Sequence, residues 1–215
     1  MGFSHSQKLL SIGTPPLLAS LPVLPSDLVQ RLTVEAETLE PLLTVKNGLF
    51  AFESALHVFP CGMVDEATAG YDLGRWNAPA TWIDAYQGAA DGYLFFAEDA
   101  FGEQFGLSGE RVFRFDPETG RTELMAANLE EWAATILKEH SVETGWKVAH
   151  DWQVQNGPLK PGERLLPKVP FCLQGAFDVE NLYAYDSLKG MNLRADFYQQ
   201  TRTLPPGTKV MIKVP

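Results

Sequence analysis

A chain of 215 residues, 45% of them hydrophobic, holds enough apolar mass to fold around its own core without a metal or disulfide framework. Its formal net charge of −10 is uneven: residues 1–150 hold 9 Lys and Arg against 21 Asp and Glu, residues 151–215 hold 8 against 6. Such a front end disfavours direct nucleic-acid binding, which needs a basic footprint, and suits a basic protein partner, although acidity also serves plain solubility.

In chain order, residues 1–25 read as an irregular, proline-punctuated arm. Ser26 is placed to cap a helix over Asp27 to Glu40, with Leu28, Leu32, Ala36 and Leu39 on one side and Pro41 ending it. Leu42, Leu43 and Val45 allow a further turn closed by Asn47-Gly48, a pair that also suits a hairpin. Leu49 to Pro60 has strand character. Tyr71 to Ala80 reads as a loop holding Trp76-Asn77, and Thr81 to Gln87 as a short helix burying Trp82, Ile83 and Tyr86.

Asp91 to Leu137 is the most informative stretch, and it predicts three antiparallel strands and a helix. Gly92 to Ala97 is apolar and aromatic enough for burial on both faces. Glu98-Asp99 stop that run, and Gly102 and Gly106 permit tight backbone around Glu103-Gln104-Phe105. Arg111 to Phe115 alternates with Phe113 and Phe115 on one face. Asp116-Pro117-Glu118-Thr119-Gly120 is a turn, and Arg121 to Met125 returns as a strand. Asn128 and Glu131 frame a capping box for a helix with Leu129, Trp132, Ala133, Ile136 and Leu137 on one stripe.

Beyond it, Thr144 is placed to cap a helix through Trp146, Ala149 and Trp152, stopped by Asn156-Gly157-Pro158. Pro158 to Pro170 reads as a connecting loop, Phe171 to Tyr185 as one or two strands, Asp186 to Thr203 as a helix and Thr208 to Val214 as a final strand. Strands clustered between groups of helices predict an α+β fold: a central antiparallel sheet with helices packed to one side and at the ends. Residues 26–150 form the expected core domain and residues 151–215 an extension packed on it.

Motifs of nucleotide binding, nucleophilic catalysis and metalloprotease chemistry are missing from the sequence. Cys61 and Cys172 stand far apart without ligand spacing, which argues against a zinc site or disulfide scaffold and fits a reducing cytoplasm. The expectation is a protein with no cofactor and no metal. No apolar run nears the roughly 18 residues of a membrane span, and Pro15-Pro16 breaks what a secretory signal would need. His5, His57, His140 and His150 are scattered. Glu98, Asp99 and Glu103 could divide acid and base roles, which is the enzyme reading, yet no nucleophile, metal ligand or oxyanion donor stands beside them. The same acids, interleaved with Phe101 and Phe105 and joined by Tyr71 and Trp76, read better as a partner-binding surface, aromatics anchoring and acids steering. The competing reading of Phe101 and Phe105 is core packing beneath the turn.

Phe95-Phe96-Ala97-Glu98-Asp99-Ala100-Phe101-Gly102, then Gln104-Phe105, a strand, Glu118-Thr119-Gly120, a strand and Leu129-Glu130-Glu131-Trp132 together resemble the SUKH superfamily. That superfamily includes a fungal cell-wall assembly regulator, the Syd protein and many bacterial immunity proteins. Asn47-Gly48-Leu49 and Trp76-Asn77 sit where such proteins often have an N-G turn and a Trp-containing loop, and the likeness covers roughly residues 25–150. Pro170-Phe171 through Glu180-Asn181-Leu182-Tyr183 to Leu204-Pro205-Pro206-Gly207 is similar to the tail of a longer bacterial subgroup, where a second glycine is expected beside Gly175 and this chain has Gln174. The resemblance implies a non-catalytic, cytoplasmic protein-binding module, foremost an immunity protein that neutralises a toxin, often a nuclease. A regulator or scaffold with a housekeeping partner is the alternative within the same superfamily.

Overall fold

Six strands pair in strict chain order into one antiparallel sheet: β1 (Leu49–Ala51), β2 (Leu56–Val58), β3 (Leu94–Asp99), β4 (Gln104–Ser108), β5 (Arg111–Asp116) and β6 (Arg121–Ala126). The structure is a computed structural model that describes residues 4–205 and 207–209. Register sets two lines of side chains across the sheet. Phe50, His57, Glu98, Gln104, Phe115 and Thr122 follow one another on one face. Leu49, Val58, Ala97, Phe105, Arg114 and Glu123 follow one another on the other. This is an α+β fold, as the clustering of strands in the sequence implies.

Helices cover both faces, where the sequence led to an expectation of one side. Against the Glu98 face lie α5 (Leu73–Trp76), two 3₁₀ turns (Pro79–Thr81 and Asp84–Tyr86) and α8 (Ser187–Thr201). There Trp82 meets Phe95 at 4.9 Å between ring centroids, and Tyr86 meets Phe115 edge-on at 4.9 Å. Against the Phe105 face lie α3 (Thr33–Val45) and α6 (Leu129–Glu143), with Trp132 edge-on to Phe96 at 4.9 Å and to Phe105 at 5.7 Å. Burial from both sides explains why all six residues of β3 are buried, its two acids included. A register shift between Phe95 and Ala97 frees Phe96 to face α6 while Phe95 faces Trp82.

Several sequence expectations change at element level. The N-terminal arm contains α1 (His5–Ile12), opened by a capping box between Ser4 and Gln7 and burying Leu9 and Leu10. The predicted helix over Asp27 to Glu40 is two, α2 (Ser26–Arg31) and α3, parted at Leu32, whose backbone is non-helical. Pro41 lies inside α3 and does not end it; buried Leu39, Leu42 and Leu43 hold the turns on either side. Thr144 closes α6, its hydroxyl donating to the His140 carbonyl at 2.7 Å, while Gly145 opens α7 (Trp146–Asn156) with a φ of 66°.

The supposed loop Pro158 to Pro170 holds β7 (Glu163–Pro167), which pairs with β8 (Leu182–Asp186) in a second, two-stranded sheet. Four prolines in that stretch hid it, one of them, Pro167, being the last residue of the strand itself. Short α4 (Glu66–Ala69) and α5 interrupt the segment between β2 and β3; Asp72 caps α5 by accepting from the Arg75 amide. The turn Asp116 to Gly120 matches expectation: Asp116 accepts from the Glu118 amide and the Thr119 hydroxyl, and Gly120 takes a φ of 65°. The expected final strand, Thr208 to Val214, lies largely outside the described residues. No helix among the described residues is long and apolar enough to cross a membrane.

Candidate functional site

Glu98 and Asp99 continue β3 instead of ending it, so the acidic loop shrinks to Ala100–Glu103. Glu98 is fully buried. Its Oε1 lies 3.0 Å from Arg164 Nη2 on β7 and 3.3 Å from His57 Nδ1 on β2. Its Oε2 accepts from the Ser187 hydroxyl of α8 at 2.7 Å and from Gln104 Nε2 at 3.4 Å. Burial alone would raise the Glu98 pKa; Arg164 and the bonds from His57 and Ser187 outweigh it and hold the carboxyl below its ordinary value. Burial, with the Arg164 charge, lowers the His57 pKa despite the pull of Glu98, so the imidazole stays neutral. Every member of this cluster is sealed from solvent. Its chemistry is that of a clamp between the main sheet and the C-terminal elements.

Asp99 folds the loop back on itself. Its Oδ1 accepts from the Phe101 amide at 2.9 Å and the Glu103 amide at 2.8 Å, and Gly102 turns the chain with a φ of 76°. A Cβ at Gly102 would lie 2.6 Å from Arg194 Nη2, so only glycine lets the α8 guanidinium reach the loop. Arg194 donates to the Phe101 carbonyl at 2.6 Å. Burial raises the pKa values of both Asp99 and Glu103, and the Asp99 charge adds to the rise at Glu103, which Arg114 opposes from 3.3 Å.

Most residues expected at the partner surface therefore lie inside. Trp76, Glu98 and Phe105 are fully buried, Asp99 is 3% exposed, Tyr71 6% and Phe101 8%. Trp76 donates from Nε1 to Gln104 Oε1 at 2.8 Å, Tyr71 donates to Asp186 Oδ2 at 2.7 Å, and Phe105 packs beneath Trp132 with the Arg114 guanidinium over its ring. These are core contacts, although Phe101 also lines a surface cleft. Glu103 alone opens to solvent, with a third of its side chain exposed.

What Glu103 opens onto is a cleft of about 490 Å³, between the Ala100–Glu103 loop, the Asp116–Gly120 turn and the segment joining β7 to β8. Glu103, Asp116 and Glu118 supply its acids, Arg121 and Arg194 its bases, and Phe101, Phe171 and Phe177 an aromatic wall. Phe171 and Phe177 stack at 3.8 Å, nearly parallel, and Phe101 meets both edge-on. Phe177 is 61% exposed, which is a large apolar area left in water. Glu118 accepts from the Cys172 amide at 2.8 Å and ties that segment to the turn. Burial and the nearby Glu118 push the Cys172 thiol up to about 12, far from a reactive thiolate. The sequence marks Phe171 and Phe177 only as aromatics in a proline- and glycine-punctuated stretch, and Glu118 only as a turn residue, so their meeting is a product of the fold.

No family model and no curated protein matches this chain. Among solved structures, the crystal structure of Atu4351 from Agrobacterium tumefaciens is similar over 86% of each chain, with a TM-score of 0.55 and 14% sequence identity. At that identity the likeness speaks for the fold alone.

Proposed function

We propose that this chain is a non-catalytic protein-binding module of the SUKH type, foremost an immunity protein that captures a basic toxin domain. The observation that carries the proposal is the cleft whose aromatic wall ends in the exposed, stacked Phe177, with three acids set against two arginines around it. Phe177 stacked on Phe171 gives a partner an anchor, and the net charge of −10 over the whole chain gives a basic partner a steering field, the two ingredients of a selective contact. Support comes also from order along the chain: the residues that resemble the SUKH pattern run through β3, β4, β5, the Glu118-Thr119-Gly120 turn, β6 and α6 in sequence. A cytoplasmic setting, no direct binding of nucleic acid and no cofactor belong to the same proposal. An enzyme using Glu98, Asp99 and Glu103 is the weaker reading, because two of the three acids are sealed and only Glu103 could meet a substrate.

Co-purification with the protein encoded beside it tests the reading. A complex at micromolar concentration is expected, weakened by about tenfold or more in Phe177→Asp and in Glu103→Lys, as for central interface residues. A complex indifferent to both substitutions removes the cleft from the account, and absence of any complex counts against the immunity role. An unlinked housekeeping partner binding through the cleft would favour the regulator instead.

A further inference from the structure

A second surface lies at the far end of β4, on the opposite face of the sheet, and does not depend on the cleft. The core side of α3 buries Ala36, Leu39, Leu42 and Leu43, as an amphipathic helix should. One ridge of its outer side is apolar as well, between exposed Glu37 and Glu40. Val34 is 52% exposed and Val45 68%, and Pro41 is exposed between them. With Thr38, these positions fall at i, i+4, i+7 and i+11, a single ridge along a helix. The ridge walls a groove of about 640 Å³ whose other sides are α1 and the start of α6. Glu37, Glu110 and Glu130 line it, and no Lys or Arg does so among the described residues.

The acids differ in what they are free to do. Glu130 accepts from the Ser6 amide and hydroxyl at 3.1 and 2.8 Å and from His5, which fastens the start of α1. Glu37 and Glu110 stand exposed at the groove edge. Lys46, just past α3, is turned beneath α1 and donates to the Thr14 carbonyl at 2.9 Å and to the Leu10 carbonyl. The groove thus keeps an apolar floor and a negative rim.

We infer that this groove docks an amphipathic helix of a partner protein, apolar on one side and carrying Lys or Arg along its edges. A ridge at helical spacing interlocks with the ridges of another helix, and acids at the rim select basic flanks. Charge disfavours a second copy of this chain as occupant. A two-fold contact would set the same acids of two molecules, each at −10, against one another.

The test uses the full chain and a fluorescein-labelled peptide of roughly 18 residues, long enough for five helical turns, with Leu on one face and Lys elsewhere. Its controls are a scrambled isomer of equal charge and a version with Glu for Lys. Fluorescence anisotropy should report binding of the amphipathic peptide, and Val34→Ser with Val45→Ser should weaken it by about tenfold. Both valines are exposed, so the melting temperature should hold. Glu37→Lys with Glu110→Lys should weaken it too, most at low salt. The inference fails if the scrambled isomer binds equally well, if the valine variant binds unchanged, or if nothing binds. Dimers in sedimentation that the valine variant dissolves would assign the face to a second copy and overturn it as well.

Discussion

Glu98 holds a negative charge where water cannot reach, and that arrangement survives because Arg164, His57, Ser187 and Gln104 surround it. A buried ion pair gives little net stability over a good apolar filling, but breaking one side of it is costly. Arg164→Met should therefore lower stability by about 3–5 kcal/mol, and adding Glu98→Gln should recover part of that loss by removing the stranded charge. Urea unfolding at neutral pH measures both; a cost below about 1 kcal/mol for Arg164→Met would show that the pair holds nothing. Glu103 obeys the opposite sign. A carboxyl whose pKa is raised in the folded state binds more protons folded than unfolded, so its contribution falls as pH rises from the ordinary value of about 4.3 towards neutrality. The exposed third of its side chain mutes the effect. Glu103→Gln should flatten the fall in melting temperature over that range, and an unchanged slope would place the excess proton elsewhere. In the sequence, these residues were visible as acids but their partners were not. Arg164 stands 66 positions from Glu98, and nothing local joins a lone arginine beside Leu165-Leu166 to a carboxylate in another sheet.

Between elements, the tightest backbone is the β1–β2 turn, where Phe52, Glu53 and Ser54 have φ values of 52°, 54° and 67° in succession. Three non-glycine residues in the left-handed region cost about 1–2 kcal/mol each, so the surroundings must hold them there. They do: Phe52 stacks on His140 at 4.7 Å, Glu53 pairs with His150 at 2.7 Å, and Gln153 donates to the Glu53 carbonyl at 3.0 Å. Ser54 makes no such side-chain contact among the described residues, so Ser54→Gly should relieve strain without loosening the grip of α7 and raise stability by about 0.5 kcal/mol, net of glycine's greater freedom when unfolded. A thermal melt decides it, and a lower melting temperature would mean that the serine is not strained. Such a turn is illegible in sequence because no glycine announces it. Elements with local chemistry were legible: the Asp116–Gly120 turn and the Asn128 cap, whose side chain accepts from the Glu131 amide at 2.9 Å, stand as their residues imply, although Glu131 accepts from the Ala127 amide at 3.1 Å instead of closing the expected box. Where tertiary burial overrides local signals, as at Pro41 inside α3 and at β7 between prolines, pattern reading stops short.

At the scale of the whole chain, the α+β class follows from strands bunched between helices, but the aromatic richness that read as a binding surface turned out to fill two layers of core. Trp76, Trp82 and Trp132 have no exposed area because the sheet is covered on both sides, and a sequence shows that a Trp is present without showing how many layers it lies beneath. The second cover comes from far along the chain. Tyr86 donates to the Pro117 carbonyl at 2.8 Å and meets Tyr198 of α8 at 5.5 Å; Gln199 and Asn192 of α8 donate to the Ala85 and Thr81 carbonyls at 2.8 and 3.1 Å. Arg164 and Arg194 reach from β7 and α8 to Glu98 and the Phe101 carbonyl. Removing residues after Gly157 would strip β7, β8 and α8, leave the Glu98 charge unpaired and uncover the Trp82 and Tyr86 layer. The shortened chain should expose enough apolar surface to bind a hydrophobic dye and show no cooperative melt. The full chain, by contrast, should unfold in a single transition in which Trp fluorescence and far-ultraviolet dichroism coincide. Two separated transitions, or cooperative folding of residues 1–157 alone, would mean that the interlocking side chains do not bind the C-terminal elements into one folding unit with the sheet.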